Sequence, residues 1–265
     1  MDDATTDDTH PAAHSDFALS FDTVADQYAS ARPSYPPHLF DTVESATGLR
    51  LDGSRVVDVG AGTGIATALL RARGAHVIAV EPGPGMGARL RRGLPDVPLL
   101  RALGDALPLA DESVDLVTYA QSWHWTDPSR SVPEALRVLR PGGALALWWN
   151  VPDPDVEWIA AQEARLQKRL PGYHRHGVSG DAPGMIASLG LTPAPEPVLH
   201  RLHWARRIPV DLHLAHLGSR SYFAVLGPEK SAPVLADERA ELLRLFPDGI
   251  VEDAYAVDLT VVRRP

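Results

Sequence analysis

The chain has 265 residues, 45% hydrophobic and 22% charged, with a formal net charge of -9 and no cysteine. This is enough chain for one well-buried domain with a modest cover, and the missing thiols exclude disulfides, thiolate metal sites and cysteine nucleophiles. The negative charge repels nucleic-acid phosphates, and no apolar run reaches the ~20 residues of a membrane span. The acidic, polar start from Met1 to Ser15 lacks the basic-then-apolar order of a secretion signal. The expectation is a cytoplasmic monomer or homodimer with a disordered tail over residues 1–16 and neither nucleic-acid nor membrane partners.

In chain order, Phe17, Phe21, Val24 and Tyr28 recur at helical spacing until the stiff Arg32-Pro33-Ser34-Tyr35-Pro36-Pro37 stretch, which cannot continue a helix. A second helix is expected around His38 to Ala46, then a buried strand at Arg55 to Val59. Strand and helix signals then alternate. A helix to Arg73 precedes a strand from His76 to Val80, a helix opened by Pro84, a short strand from Leu99 to Leu103 and a strand from Val114 to Tyr119. Asp127-Pro128 caps a helix with Val132, Leu136 and Leu139 on its apolar face, ended by Pro141-Gly142-Gly143, and Ala144 to Trp149 is the next strand. Such alternation implies an α/β, Rossmann-like, doubly wound sheet with right-handed crossovers and helices on both faces. Beyond Asn150 the pattern loosens into a helix from Val156 to Leu170, a strand near Val198 to Arg206, a helical region from Asp211 to Phe246 and a closing strand from Ala254 to Arg264.

The loop Gly60-Ala61-Gly62-Thr63-Gly64 directly follows the first buried strand and opens a helix. Glycines there let the backbone turn sharply and approach a ligand, while the helix start offers unpaired N–H groups. Glu81 ends the second strand, where a carboxylate can accept both hydroxyls of a ribose; a solvated loop acid is the bland alternative. A dinucleotide oxidoreductase shares this logic, but its G-x-G-x-x-G fingerprint differs from the G-x-G-x-G found here, so that reading is the lesser one.

Together, Val56-Val57-Asp58-Val59 with the glycine loop, Val80-Glu81-Pro82, Leu107-Pro108-Leu109 and Leu139-Arg140-Pro141-Gly142-Gly143 resemble the class I S-adenosylmethionine-dependent methyltransferases, in order and in spacing. Tyr28, Arg32, Pro33, Tyr35 and Pro36 before the core, and Trp123-His124-Trp125 after the fourth strand, resemble a small-molecule branch of the type 11 kind. The resemblance implies a seven-stranded, mostly parallel sheet with helical lid insertions, divided into a lid over 17–47, a cofactor core over 54–150 and a substrate cover with final strands over 151–265. It implies S-adenosylmethionine as cofactor, with S-adenosylhomocysteine as product. Asp58, Gly60, Ala61, Gly62 and Gly64 would border its methionine part, Glu81 with Pro82 its ribose, Gly104-Asp105-Ala106 its adenine, and Gln121, Tyr28 and Arg32 would complete the contacts. Where relatives often carry an acid two positions before Asp105, this chain has Leu103.

His124 follows the fourth strand beside the expected sulfonium, either as a general base or as packing between Trp123 and Trp125. Tyr28, Arg32 and Tyr35 are a lid over the site or surface cover for the core, and Tyr35, Trp123, His124, Ser221 and Tyr222 are candidates to face the substrate. The histidine pairs 174/176, 200/203 and 213/216 have no carboxylate at ligand-like sequence spacing, so structural or solvated histidines and no metal are expected. Arg201, Arg206 and Arg207 are read as a solvated strand edge before an anion site. The activity expected is methyl transfer to a small-molecule O, N or C nucleophile. Two alternatives stay open: another reaction of the bound sulfonium, such as cyclisation or decarboxylation, and a cofactor-binding subunit without turnover.

Overall fold

A computed structural model describes residues 33–170, 172–173 and 181–264. The expected tail over 1–16, the helix from Phe17 to Tyr28, Tyr28 and Arg32 themselves, and His174 and His176 lie outside the described residues.

The described chain opens with α1 (Pro37–Thr47), started by a proline at its first position and stopped by Gly48 at φ 72°. There follow β1 (Arg55–Val59), α2 (Ile65–Ala72), β2 (His76–Val80), α3 (Pro84–Gly93), the two-residue β3 (Leu99–Leu100) and β4 (Val114–Ala120). A single 3-10 turn (Trp123–Trp125) leads to α4 (Pro128–Val138), whose Asp127 cap accepts the Ser129 N–H at 2.9 Å. Next come β5 (Leu139–Pro152), α5 (Glu157–Arg169), α6 (Ala182–Ala187), β6 (Val198–Pro209), α7 (Val210–Gly218), α8 (Ser221–Leu226), α9 (Pro228–Leu245) and β7 (Ile250–Arg263).

The seven strands form one sheet in the order β3-β2-β1-β4-β5-β7-β6. β1 to β5 are parallel, and β7 runs antiparallel to both β5 and β6. The strand order reverses between β1 and β4, which opens the crevice beyond their carboxyl ends where doubly wound sheets bind ligands. β7 begins at that same edge, since Tyr255 pairs with Pro152 and Asp253 with Arg206.

Both faces of the central strands are apolar because both are covered. On one face Val56, Leu116, Ala146 and Trp148 pack against Leu39, Phe40 and Val43 of α1 and Leu70 of α2. On the other, Val57, Val117, Leu147 and Trp149 meet Val132 and Ala135 of α4 and Ile186 of α6. Each such side chain, fully buried, contributes ~1.5–3 kcal/mol. A separate cluster joins Leu166, Leu214, Leu217, Phe223, Val234 and Leu242 of the late helices to Ile208 and Val251, next to the carboxyl edge.

Several boundaries differ from the expectations. α4 stops at Val138, with Leu139 as its cap, because the chain enters the β4–β5 ladder at Leu139 well before Pro141-Gly142-Gly143. β3 ends at Leu100, where pairing with β2 runs out. The region from Asp211 to Phe246 is three helices, broken at Ser219-Arg220 and at Gly227. β7 starts at Ile250, since β6 pairs with it from Pro209 onward. α6 lies between the expected helix and strand, where the sequence pattern assigned no element; Asp181 caps it by accepting the Gly184 N–H at 2.9 Å. The part of the anticipated lid from Pro37 to Thr47 is α1, a core helix.

Candidate active site

Three glycines follow β1, all with positive φ: 66° at Gly60, 57° at Gly62 and 92° at Gly64. Each answers a different demand. A Cβ on Gly60 would fall 2.5 Å from Ser122 Cβ, and one on Gly64 would meet Leu94 and Leu90 of the α3 region at 3.0 and 3.1 Å. Among the described residues, a Cβ on Gly62 would meet nothing within 4 Å. Of the three, Gly62 is the one whose bare Cα no other described residue approaches. The Gly60 and Ala61 N–H groups both reach Val80 O, at 2.8 and 3.1 Å, so the loop is tied to the end of β2.

Glu81 follows β2 and is 6% exposed. Its Oε2 accepts the Gly62 N–H at 2.8 Å and its Oε1 the Gly83 N–H at 2.7 Å. Both carboxylate oxygens thus brace backbone N–H groups, one in the glycine loop and one at the start of α3. Asp58 is buried in the sheet; Thr67 Oγ1 donates to its Oδ2 at 2.6 Å and Thr118 Oγ1 to its Oδ1 at 3.1 Å. Burial pushes its carboxyl up to about 6 although both hydroxyl bonds pull it down. Its oxygens are turned to Thr118 of β4 and Thr67 of α2, so Asp58 ties the end of β1 to both elements. Thr67 and Thr118, which sequence reasoning missed, carry no signal beyond their position behind the loop.

The segment anticipated to flank adenine is held from three sides. Tyr119 Oη donates to Gly104 O at 3.1 Å, and a Cβ on Gly104 would lie 2.9 Å from that ring. Asp105, its carboxyl raised mainly by burial, accepts the Asp127 N–H at 3.1 Å, which links the segment to the start of α4. Glu134 accepts the Leu107 N–H at 2.7 Å, and Arg137 donates to Leu107 O and Leu109 O at 3.1 and 2.9 Å. Ala106 and Leu103 are exposed, Leu103 by 51%.

Beyond β4, Gln121 takes a left-handed conformation at φ 58° while its N–H bonds Trp148 O. That turns the chain so that buried Ser122 donates to Val59 O at 2.5 Å, fastening β4 to the glycine loop. Trp123 points inward: it is 2% exposed, donates to Ser131 Oγ at 3.0 Å and meets Trp149 edge to face, so its ring is core. His124 is half-buried, with Trp125 at 4.6 Å between ring centroids, and accepts the Trp149 indole N–H on Nδ1 at 3.2 Å. Tyr35 is buried edge-on to Trp148. The adjoining Ser34 O accepts from Asn150 Nδ2 at 3.4 Å, so the pre-core segment crosses the carboxyl edge of β5. Tyr222 packs against Tyr173 and Phe223 in the late-helix cluster; Ser221 opens α8, and its side chain lies outside the described residues.

Contacts therefore join Glu81 to Gly62, Gly60 to Ser122, Gly104 to Tyr119 and Asp105 to Asp127, all at the β1/β4 switch point. A dense polar network lies alongside. Asp253 Oδ1 and Gln162 Oε1 flank the two ring nitrogens of His213 at 3.0 and 2.9 Å. Burial raises the carboxyl of Asp253, but the His213 and Tyr255 contacts outweigh it and leave the group below its ordinary value. Arg220 donates to Glu163 Oε1 and to Tyr173 Oη, both at 2.8 Å. Arg206 pairs with Asp253 and Arg201 with Asp258, while Arg207 reaches Asp248 only at 4.0 Å and stays solvated.

Carboxylates distant in sequence do reach the histidine pairs, Asp253 at His213 and Asp153 at His203. His203 lies with Asp153 and Asp155, their ligand atoms all within 4.8 Å, since β6 runs past the end of β5 through β7. The 2.7 Å bond from His203 Nδ1 to Asp153 Oδ2, with the Asp155 N–H on Asp153 Oδ1, accounts for this grouping. Among the described residues no helix is long and apolar enough to cross a membrane.

The chain matches the family model described as a methyltransferase domain over residues 57–147. It is 36% identical to an uncharacterised methyltransferase of Mycobacterium tuberculosis over 236 residues, covering 88% of each chain. A malonyl-[acyl-carrier protein] O-methyltransferase of Dechloromonas aromatica is 36% identical over 140 residues, 51% of this chain and 49% of the relative. Among solved structures, a candidate type II methyltransferase from Anaeromyxobacter dehalogenans superposes with a TM-score of 0.65 at 25% identity, over 88% of this chain and 96% of that one. Kinship along nearly the whole length of the mycobacterial relative makes the chain a member of the class I S-adenosylmethionine-dependent methyltransferases, with S-adenosylmethionine as its cofactor.

Proposed function

We propose that this chain transfers the methyl group of S-adenosylmethionine to a small-molecule nucleophile in the cytoplasm and releases S-adenosylhomocysteine. The observation that carries the reading is the bare, positive-φ Gly62, approached by no other described residue at its Cβ position, while its N–H is braced by Glu81. The two features fit an adenosyl group: backbone access where a side chain would intrude, and a carboxylate at the neighbouring strand end, where a ribose is held in doubly wound sheets.

When bound, the cofactor supplies an electrophilic methyl on a sulfonium. The protein's share is to hold and orient. Gly60, Ala61, Gly62 and Gly64 border the methionine portion, and Asp58 ties the strand end before that loop to β4 and α2. Glu81 with Pro82 accepts the ribose hydroxyls, and Gly104-Asp105-Ala106 flanks the adenine. Gln121, and Tyr28 and Arg32 outside the described residues, complete the cofactor contacts as the resemblance implies. Trp125 and His124 border the acceptor and limit water, with Tyr222 and Ser221 on the late-helix side; Trp123 and Tyr35 contribute from the core beneath. Holding two reactants in attack geometry supplies up to ~7–11 kcal/mol of the barrier reduction, which suffices when the electrophile is already activated.

Equilibrium dialysis of the purified chain with S-adenosylmethionine and S-adenosylhomocysteine is expected to show retention of both, and failure to retain either defeats the reading. Turnover of methyl-labelled cofactor with a metabolite panel then tests transfer. Label recovered on the acceptor supports a transferase; consumption with the label left on the cofactor's fragments points instead to another sulfonium reaction.

A further inference from the structure

Trp149 lies on β5 with its indole 1% exposed, and its Nε1–H is directed at His124 Nδ1 across 3.2 Å. An indole nitrogen can only donate. Nδ1 is therefore the unprotonated nitrogen of a neutral imidazole, and the ring proton sits on Nε2. We propose that Trp149 is a positioning residue that fixes His124 in the Nε2–H tautomer, so that His124 serves the site as a hydrogen-bond donor and not as a proton acceptor. The inference assigns a role within the transferase reading and rests on it for its functional meaning.

To act as a base through Nε2, His124 would need its proton on Nδ1, donor facing donor against the Trp149 N–H. Taking up a proton on Nδ1 to form imidazolium meets the same obstacle. Either change strands a buried indole N–H without an acceptor, a loss that a shift of Trp149 cannot easily relieve. The indole is wedged against Trp123 at 6.2 Å between centroids, Trp123 is itself tied to Ser131, and the Trp149 backbone is paired with Asp258 of β7. On its other side the imidazole is held near Trp125. The acceptor atom must then reach the methyl without surrendering a proton to His124. That describes an oxygen ionised on arrival, an amine lone pair or an activated carbon, with the Nε2–H suited to steadying an anionic oxygen.

The test is long-range proton–nitrogen correlation NMR on the full chain with nitrogen-labelled histidine, alone and saturated with S-adenosylhomocysteine. Trp149→Phe keeps the packing ring and removes only the donor, and His124→Gln identifies the resonance. The wild type is expected to show His124 wholly as Nε2–H, and Trp149→Phe a mixture with detectable Nδ1–H. A proton on Nδ1 in the wild type, or an unchanged pure Nε2–H pattern in Trp149→Phe, overturns the proposal. If Trp149→Phe does not fold, the wild-type spectrum alone decides. Retention of S-adenosylhomocysteine, read separately by dialysis, distinguishes failure of the transferase reading from failure of the tautomer assignment.

Discussion

Replacing Gly60 with alanine tests whether the glycine loop is built against β4 or merely lies near it. Two costs arise. An alanine at φ 66° pays left-handed strain of roughly 1–2 kcal/mol. Its Cβ would also stand 2.5 Å from Ser122 Cβ and 2.9 Å from Ser122 Oγ, an overlap with a rigid neighbour that adds roughly 1–3 kcal/mol. Together Gly60→Ala is expected to lose ~2–5 kcal/mol. Ser122→Gly removes the obstructing atoms and the Oγ bond to Val59 O, at ~1–2 kcal/mol by itself. In the double variant only the strain and the lost bond should remain, so a cycle measured by urea unfolding at constant m should give ~1–3 kcal/mol of favourable coupling. Coupling within about 0.5 kcal/mol of zero would mean that Ser122 does not confine the loop, and would refute the geometry argued for this site.

Gly62→Val should behave in the opposite way, because its side chain meets no other described residue: folding suffers only the backbone strain, ~1–2 kcal/mol, while calorimetry with S-adenosylhomocysteine should find no binding. Unchanged affinity would remove Gly62 from the cofactor cradle. Glu81→Gln puts an amide NH2 against either the Gly62 or the Gly83 N–H, donor to donor, and takes away acceptors for hydroxyls. Affinity for S-adenosylhomocysteine is expected to fall about 10–100-fold, the equivalent of ~1.4–2.7 kcal/mol, and a smaller loss counts against a ribose role. Asp58 links stability to pH. Its carboxyl is raised from 3.8 to about 6 in the fold, so the folded chain binds the extra proton between those values, and the stability it adds is complete below 3.8 and lost as pH rises through about 6. The change is ~3 kcal/mol. Asp58→Asn should flatten this part of the stability profile in thermal melts, and an unaltered slope would assign it to other groups.

Much of the fold was legible because it is written in local chemistry. The β-branched run from Arg55 to Val59 and the glycines after it declare a strand, a turn and a helix start in one stretch, and those elements form where the pattern puts them. Gly48 and Asp127-Pro128 mark helix ends by their own dihedral and capping preferences. Legibility failed where pairing overrode propensity: Leu139 to Gly143 reads as a helix end with a turn, yet it joins a strand because β4 and β7 supply partners. It failed again at α6, where one Asp cap and the burial of Ala182 and Ile186 impose a helix on a breaker-rich segment.

By itself, then, the sequence determined the strand-turn-helix grammar and the place of the glycine loop and of the acid after the second strand, since each depends on short stretches of chain, while the cofactor class came from the resemblance of several such stretches to one family. Only the tertiary structure decided what the individual side chains face. Gly60 and Gly62 look alike in sequence, yet among the described residues one abuts Ser122 and the other has no neighbour at its Cβ position. Trp123 and His124 are neighbours, yet the first is core while the second has its ring nitrogen fixed by a tryptophan 25 positions away. Burial and hydrogen-bond partners come from strands that meet across the sheet, and the order in which strands meet is a property of the whole fold that no short window of residues contains.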